Sequence, residues 1–327
     1  MARTVLFREL GGPEVLRVEE LEVGEPGAGE VRIRVDAIGL NRAEALFRSG
    51  HYIEEVREFP GRLGTEAAGE IEAVGEGVAF EVGQRVSVVP AFSQNDYSVY
   101  AERAIVPAAA VVPRPEGIDA VEGAAVWMPY LTAYGALVEV GGMRAGDTVV
   151  LNAASSSVGL AAIHLANRVG ATPIALTRTA AKKDALLKEG ASEVIVTGEE
   201  DVVARVMALT GGAEFVFDAV AGPGVVDLAK VVAPGGTLLE YGALSGEPTP
   251  YPGFELGMPA LNMRTYTVHE TTTDPERLRR AAAFVASGLR AGAFRPVIDR
   301  TFELGDIVEA HRHMESNTQV GKIVVTA

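Results

Sequence analysis

The chain has 327 residues, of which 48% are hydrophobic and 22% are charged, so we expect a globular protein with a large core and two domains. Its formal net charge of −15 argues against nucleic-acid binding as the main role, because an acidic surface repels phosphate backbones. The complete lack of cysteine excludes disulfides, thiolate catalysis and zinc sites with cysteine ligands.

The N-terminal part of the chain, up to about residue 120, predicts short strands separated by glycine and proline. EVRIRVDAIGL, at residues 30–40, alternates apolar and charged residues as a half-buried strand does. The first residues contain no apolar leader, and no stretch reaches the ~20 apolar residues of a membrane span. We therefore expect a cytoplasmic protein that begins with a compact sheet or an irregular barrel.

The middle of the chain changes character and predicts a parallel sheet. From Thr148 to Glu270, helical patterns alternate with the apolar runs TVVLNAA, TPIALTR, SEVIVTG, EFVFDAV, GTLLEYGAL and RTYTVHE. Such runs are typical of parallel strands that helices cover on both faces. Six of them predict a doubly wound nucleotide-binding fold of the α/β class. A helix, a strand, a second helix and a final strand follow, so we expect this unit to be inserted between two pieces of another one.

The segment TVVLNAASSSVGLAAIHLANRVGA predicts a phosphate-binding loop, because a strand leads directly into a small-residue turn and a helix. The G-x-G-x-x-G frame falls on Ala154, Ser156 and Gly159, so only its last glycine is present. Helix N–H groups and serine hydroxyls would then meet the pyrophosphate. The alternative is simple helix–strand packing. The predicted cofactor-binding residues are Ser155, Ser156, Ser157, Val158 and Gly159.

The end of the second parallel strand favours NADPH over NADH. Arg178 stands nineteen residues after Gly159, where NAD-binding proteins carry an acidic residue, and Lys182 and Lys183 follow. A guanidinium pairs with a 2′-phosphate, and cations at a helix start otherwise oppose the helix dipole. We expect Arg178 and Lys182 to bind the cofactor. The alternative is a solvated helix start.

Two later strand ends complete the predicted cofactor site. DAVAGP ends the fourth strand and EYGALSG ends the fifth, and cofactors bind at the carboxyl ends of parallel strands. The alternative for each is an ordinary turn. The residues predicted to contact the cofactor here are Ala219, Val220, Tyr241, Gly242 and Ala243.

Five motifs follow one another along the chain: GLNRAEALFRSGHY, LGTEAAGEIEAVGEGV, VGQRV, AASSSVGLAAIHLA and a terminal VGKIVV. In this order they resemble the medium-chain dehydrogenase/reductase superfamily, in its zinc-independent quinone oxidoreductase-like branch. The resemblance implies a GroES-like catalytic domain made from both ends of the chain, with a Rossmann domain between them. We place the first at residues 1–123 and 264–327 and the second at residues 124–263.

The resemblance also implies that no metal is bound. Zinc-dependent members carry Cys at the position that resembles Asn41 and Gly-His-Glu where this chain has Gly64, Thr65 and Glu66. The four-cysteine structural lobe is absent as well. The histidines nearest to each other, His311 and His313, are expected at a solvated helix end.

The family pattern carries over to four residues, each with an alternative. Asn41 and Tyr52 would line the nicotinamide pocket as catalytic residues, with Asn41 also contacting the cofactor; their alternatives are a loop amide and a core-edge aromatic. Thr132 resembles a nicotinamide-contacting Thr, and Lys322 resembles a Lys near the cofactor. The alternatives are helix capping for Thr132 and a solvated strand edge for Lys322. The family's aromatic at the position of Leu46 is missing, which leaves the quinone substrate open.

The sequence thus favours an NADPH-dependent reductase that transfers hydride to a quinone or another electron-poor carbonyl acceptor. The first alternative is an enoyl reductase for α,β-unsaturated carbonyl or thioester substrates, and the second is a non-catalytic NADPH-binding protein of crystallin type. We also expect a homodimer. The apolar segment 254–270 includes the sixth strand, and an exposed sheet edge near Tyr266 invites pairing with a two-fold mate.

Overall fold

A computed structural model describes residues 1–254, 256–258 and 260–327. The chain forms two compact units. The first unit contains Met1–Met128, Thr272–Ala286 and Arg295–Ala327, and the second contains Pro129–Thr271 and Ser287–Phe294. The domain bounds given above from the sequence stay a prediction. Within the described part of the chain, none of the helices has both the length and the apolar character that a membrane span requires.

The secondary structure mixes strands and helices throughout the chain. In chain order, the strands are β1 (Ala2–Phe7), β2 (Arg17–Leu21), β3 (Glu30–Gly39), β4 (Gly61–Arg62), β5 (Ala67–Val74), β6 (Arg85–Val88), β7 (Arg103–Pro107), β8 (Val111–Pro113), β9 (Thr148–Leu151), β10 (Thr172–Thr177), β11 (Glu193–Val196), β12 (Ala213–Asp218), β13 (Val232–Glu240), β14 (Asn262–Thr265), β15 (Ile298–Glu303) and β16 (Lys322–Thr326). The helices are α1 (Arg42–Ser49), α2 (Ala120–Gly123), α3 (Trp127–Ala133), α4 (Ser157–Val169), α5 (Lys183–Lys188), α6 (Val202–Thr210), α7 (Val225–Lys230), α8 (His269–Thr272), α9 (Pro275–Arg290) and α10 (Ile307–Glu315).

The first unit is built on two sheets. A three-stranded sheet has the order β2-β1-β4, and a seven-stranded sheet has the order β15-β16-β3-β5-β6-β8, with β7 also paired to β3. The long strand β3 alternates buried and partly exposed residues along its first half, as its sequence predicts. β16, from the C-terminus, pairs antiparallel with the end of β3, with Val324 opposite Gly39. This pairing places the C-terminal strand beside the end of β3, directly before α1.

The second unit contains a parallel six-stranded sheet in the order β11-β10-β9-β12-β13-β14, which confirms the predicted doubly wound fold. All four residues of β9 are buried, as expected for a central strand with helices on both faces. From β9, the first strand of this sheet in the sequence, the chain continues to β10 and β11 on one side and then returns to β12, β13 and β14 on the other. The strand order therefore reverses between β9 and β12. Ligands of open parallel sheets bind at the carboxyl ends of the strands at such a switch point.

The sixth strand lies slightly earlier than the sequence suggested. β14 covers Asn262–Thr265, whereas the run RTYTVHE was predicted from residue 264 to 270. Tyr266 is 2% exposed and its hydroxyl is 3.0 Å from Oγ1 of Thr271, so this ring packs into the unit after the strand has ended. Of the apolar segment 254–270, residues 255 and 259 lie outside the described residues.

Candidate active site

In the first unit, Asn41 begins α1 and is fixed there by its own helix. Its backbone is extended, with φ −129° and ψ 152°, and its N–H donates to Oε2 of Glu44 at 2.6 Å. An Asn at the N-cap with Glu three residues later forms a capping box, in which two otherwise unpaired N–H groups are satisfied. The local sequence therefore holds the Asn41 side chain at the junction of β3 and α1.

Lys322 reaches the same place from the other end of the chain. Its ammonium donates to Oδ1 of Asn41 at 2.5 Å and to Oε2 of Glu66 at 2.6 Å. The second carboxylate oxygen of Glu66 accepts the N–H of Met128 at 2.8 Å. Lys322 is 1% exposed and Glu66 is fully buried, so the solvated strand edge is excluded for Lys322. A buried ion pair of this kind needs the additional hydrogen bonds that Asn41 and Met128 supply.

Glu44 is a second buried carboxyl in this cluster. Its Oε1 accepts from the hydroxyl of Thr65 at 3.2 Å and lies 3.4 Å from Nδ2 of Asn41. Burial raises the pKa of Glu44 to about 7, although the Lys322 ammonium lowers it in part. The carboxyl therefore exchanges its proton near neutral pH. Glu44 was not among the residues predicted from the sequence, although the spacing of a capping box could have revealed it.

Tyr52 lies three residues beyond α1, in a segment that is hydrogen-bonded to the turn at residues 93–97. Its ring packs edge-on against Phe47, with the centroids 6.3 Å apart. Two residues later, the carboxylate of Glu54 accepts from the hydroxyl of Ser93 and from Nδ2 of Asn95. Burial raises the pKa of Tyr52 to about 12, and the carboxyl groups of Glu44 and Glu54 add to the rise. The phenol stays protonated at neutral pH and can donate a hydrogen bond.

His311, in contrast, is not at a solvated helix end, and that expectation was wrong. It is fully buried on the inner face of α10, and its Nδ1 lies 2.7 Å from the guanidinium of Arg48, which also donates to Glu315. Burial, together with the charges of Arg48 and Arg42, lowers the pKa of His311 to about 3. The ring is therefore a neutral acceptor that joins α10 to α1. Among the described residues, no three His, Asp or Glu side chains form a group suited to a metal ion.

In the second unit, the predicted phosphate-binding loop connects β9 to α4. Ser156 caps α4, and its hydroxyl accepts the N–H of Gly159 at 3.1 Å. A Cβ on Gly159 would lie 2.5 Å from the carbonyl oxygen of Ala154, so only glycine permits this approach of helix and loop. Ala153 takes a left-handed backbone with φ 52°, a conformation that glycine adopts without strain. The loop thus keeps the shape of a glycine-rich loop with alanine and serine. Ser155, Ser157 and Val158 lie in it or in the first turn of α4.

The predicted 2′-phosphate residues lie at the end of β10. Arg178 directly follows the strand and is exposed to solvent. Lys182 is half-buried, and its ammonium donates to the hydroxyl of Ser155 at 3.2 Å. Lys182 therefore joins the end of the second strand to the phosphate-binding loop, which places positive charge beside the N-terminus of α4.

The ends of β12 and β13 are organised by Asp218, a residue that the sequence analysis missed. Its carboxylate accepts the N–H groups of Val220 at 2.8 Å and Ala221 at 3.0 Å, and Nδ2 of Asn152 at 2.8 Å. A Cβ on Gly242 would lie 2.6 Å from the carbonyl oxygen of Ala219, so the two strand ends pack closely. The predicted residues Ala219, Val220, Tyr241, Gly242 and Ala243 are thereby brought to one edge of the sheet. An acidic residue at the end of an apolar run was the available signal.

Thr132 is the sixth residue of α3 and is 6% exposed, which excludes a capping role at the start of that helix. Tyr130, two residues earlier, donates or accepts a 2.7 Å hydrogen bond with Nδ1 of His164, whose Nε2 is 2.9 Å from a carboxylate oxygen of Glu189. Its ring also packs on Phe294, with the centroids 4.7 Å apart. Tyr130 therefore ties α3 to α4 by more than apolar packing.

Comparisons with known proteins cover the sequence of both units. A model of the alcohol dehydrogenase GroES-like domain matches residues 27–116, and a model of zinc-binding dehydrogenases matches residues 189–325. The chain is 33% identical over 332 residues to a quinone oxidoreductase of Pseudomonas aeruginosa, with 99% of each chain covered. Among solved structures, a Pseudomonas syringae pv. tomato quinone oxidoreductase is 27% identical, with a TM-score of 0.92 and full coverage of both chains. An Escherichia coli quinone oxidoreductase complexed with NADPH is 28% identical, with a TM-score of 0.92, covering 99% of this chain and 100% of that one.

Proposed function

From the fact that this chain belongs to the medium-chain dehydrogenase/reductase superfamily, in its quinone oxidoreductase-like branch, we propose that it is an NADPH-dependent reductase. It reduces a quinone or another electron-poor carbonyl compound, and it does so without a catalytic zinc ion. The observation that carries the proposal is the pairing of a capped helix N-terminus with Arg178 and Lys182 at the switch point of the parallel sheet.

The residues of the second unit fit NADPH. When bound, NADPH supplies the hydride, and the protein supplies orientation and exclusion of water. The N–H groups in the first turn of α4 and the Ser156 hydroxyl would bind the pyrophosphate, because a helix N-terminus favours anions. Arg178 and Lys182 bind the 2′-phosphate, for which a guanidinium offers two parallel donors. Thr132 and the residues at the ends of β12 and β13 bind the nicotinamide half.

The residues of the first unit do not fit a catalytic zinc ion. Asn41 and Thr65 offer neither thiolate nor imidazole, which are the ligands that zinc prefers beside carboxylate. The Lys322 ammonium already lies within hydrogen-bonding distance of Asn41 and Glu66, and a divalent cation beside it would be repelled. We propose instead that Asn41 orients the acceptor and that the protonated Tyr52 donates a hydrogen bond to the oxygen that becomes negative.

A panel of acceptors tests this function. We expect the purified protein to oxidise NADPH with quinones and to leave NADH largely unused, with no stoichiometric zinc in elemental analysis and no loss of activity on chelation. Turnover with enoyl thioesters but not with quinones would assign the protein to enoyl reduction. Tight NADPH binding without turnover on any of these acceptors would contradict a reductase function, and one tightly held zinc per chain would contradict the metal-free site.

We also propose a homodimer in the cytoplasm. β14 is the last strand in the order of the parallel sheet and pairs only with β13 among the described residues, so its outer edge offers unpaired backbone groups. Two-fold pairing of identical strands is the simplest closed solution for such an edge. We expect sedimentation of a dimer at micromolar concentration, with slow amide exchange along Asn262–Thr265. A monomer at that concentration would refute this assembly.

A further inference from the structure

Gln94 carries a buried amide whose donor end is unused. The side chain lies in the turn at residues 93–97 and is 5% exposed. Its Oε1 accepts the backbone N–H of Gly64 at 3.1 Å, which fixes the oxygen and nitrogen ends of the amide. Among the described residues, Nε2 has no hydrogen-bond partner. A buried donor without an acceptor is costly in a folded protein, so an observed one calls for a specific role.

Two sets of contacts join the Gln94 turn to the segments that carry the predicted active-site residues of the first unit. Gly64, to which Gln94 bonds, is followed by Thr65, and the Thr65 hydroxyl bonds to Glu44 in the buried cluster. On the other side, the neighbours Ser93 and Asn95 both bond to Glu54, two residues after Tyr52. Asn95 also accepts the N–H of Arg57 at 2.9 Å and donates to the carbonyl of Glu55 at 3.0 Å. Gln94 is thus anchored between the Thr65 segment and the Tyr52 segment.

The hydrogen-bonding character of the surroundings indicates what Nε2 would bind. In the buried cluster, Glu44 and Glu66 accept from Asn41, Thr65, Met128 and Lys322, and these donors are engaged inside the cluster. An Nε2 amide can only donate, and it carries no charge. Its partner therefore has to be an acceptor atom, and we look for that atom outside the cluster. A carbonyl oxygen has this character, and a quinone presents two of them.

We propose that the Nε2 amide of Gln94 donates a hydrogen bond to a carbonyl oxygen of the acceptor substrate and thereby selects carbonyl compounds. The inference rests on the proposed reductase function. A site built to donate a hydrogen bond rejects compounds that lack the acceptor atom, because its buried N–H would be left unpaired. Gln94 and Tyr52 then supply two neutral donors for the substrate, while the Lys322 side chain is bonded to Asn41 and Glu66.

The first test is binding observed at the amide itself. The side-chain NH₂ resonances of Gln94, assigned through bonds from its own backbone, are followed in the wild-type protein saturated with NADP⁺ while 1,4-naphthoquinone is added. NADP⁺ cannot deliver hydride, so the quinone stays intact. We expect the Gln94 amide protons to shift downfield on saturation. A shift no larger than that of the Gln84 amide, on the turn at residues 81–84, would mean that Nε2 binds only water and would overturn the proposal.

The second test is kinetic. We expect Gln94→Met to lower kcat/KM for 1,4-naphthoquinone by about 3- to 10-fold, the effect of one neutral hydrogen bond, with the Kd for NADPH unchanged. Gln84→Met is the matched control, because Gln84 also accepts a backbone N–H, that of Glu81, and should keep wild-type kinetics. Unchanged kcat/KM in Gln94→Met would overturn the proposal.

If Gln94→Met does not fold, the amide shift in the wild-type protein decides. A wild-type protein that never oxidises NADPH would refute the proposed function, whereas the amide shift would still report whether Gln94 binds a carbonyl.

Discussion

In the first unit, Asn41, Glu66 and Lys322 come from opposite ends of the chain and form a buried cluster, whereas in the second unit Ser155–Gly159 are consecutive and lie at a helix N-terminus. The cluster satisfies its charges internally. The loop and the exposed Arg178 are the residues for which we propose cofactor binding. Changes to the cluster should therefore appear mainly in the free energy of unfolding, and changes to the loop mainly in cofactor binding.

The largest effect is expected for Lys322→Met. The Glu66 carboxylate would stay buried without its cationic partner, and loss of one partner of a buried ion pair costs about 3–5 kcal/mol. Denaturant unfolding measures this loss. Lys230→Met is the control, because Lys230 pairs with Asp227 on the surface, where such pairs contribute about 0–1 kcal/mol. Equal losses in the two variants would contradict the buried, internally paired cluster.

The second prediction concerns pH. The folded-state pKa of Glu44, about 7, exceeds its ordinary 4.5, so the folded protein binds this proton more tightly than the unfolded chain does. Stability is therefore highest below pH 4.5 for this group and falls by about 3 kcal/mol as the pH rises to about 7. Glu44→Gln should lack this fall.

His311 also changes the pH dependence of stability, so the contribution of Glu44 has to be measured as the difference between the wild-type protein and Glu44→Gln. The pKa of His311 in the folded protein, near 3, is below the ordinary 6.5, so the unfolded chain binds this proton more tightly than the folded protein does. The contribution of His311 to stability therefore rises as the pH rises between these two values. The two slopes oppose each other in the wild-type protein. Subtracting the Glu44→Gln curve from the wild-type curve cancels the His311 contribution. A difference that is constant from pH 4.5 to 7 would contradict the raised pKa of Glu44.

The third prediction moves to the loop side of the comparison. Arg178→Ala should weaken NADPH binding by about 1.5–3 kcal/mol, the range for hydrogen bonds to charged groups, and should leave NADH binding nearly unchanged. Fluorescence titration with both cofactors measures the difference. Arg168→Ala, at the exposed far end of α4, is the control and should alter neither affinity. Equal weakening of both cofactors by Arg178→Ala would remove the 2′-phosphate assignment.

The same contrast explains how much the sequence could predict. The parallel sheet and the strand–turn–helix element from β9 to α4 could be predicted because strand, turn and helix signals are local and consecutive. The contact of Lys322 with Glu66 spans 256 residues and depends on the pairing of β16 with β3, which periodicity does not specify. His311 was misjudged for a related reason, since only the packing of α10 against Arg48 shows which face of that helix is buried. Residues whose partners are distant in sequence are therefore the ones that the sequence leaves open.

The smallest effect is expected at the cap of α4, where one side chain can contribute both to the free energy of unfolding and to cofactor binding. The Ser156 hydroxyl accepts the Gly159 N–H and still has a proton to donate, so it can cap the helix and bind a phosphate oxygen together. Ser156→Ala should lower the free energy of unfolding by about 1 kcal/mol, as loss of an N-cap does. Asp201→Ala removes the cap of α6, whose carboxylate accepts the N–H of Ala204, and should cost a similar amount. Only Ser156→Ala should also weaken NADPH binding, by about 0.5–1.5 kcal/mol. If both variants lose stability and neither loses affinity, the pyrophosphate is bound by the helix N–H groups alone, and Ser156 serves only to hold them in place.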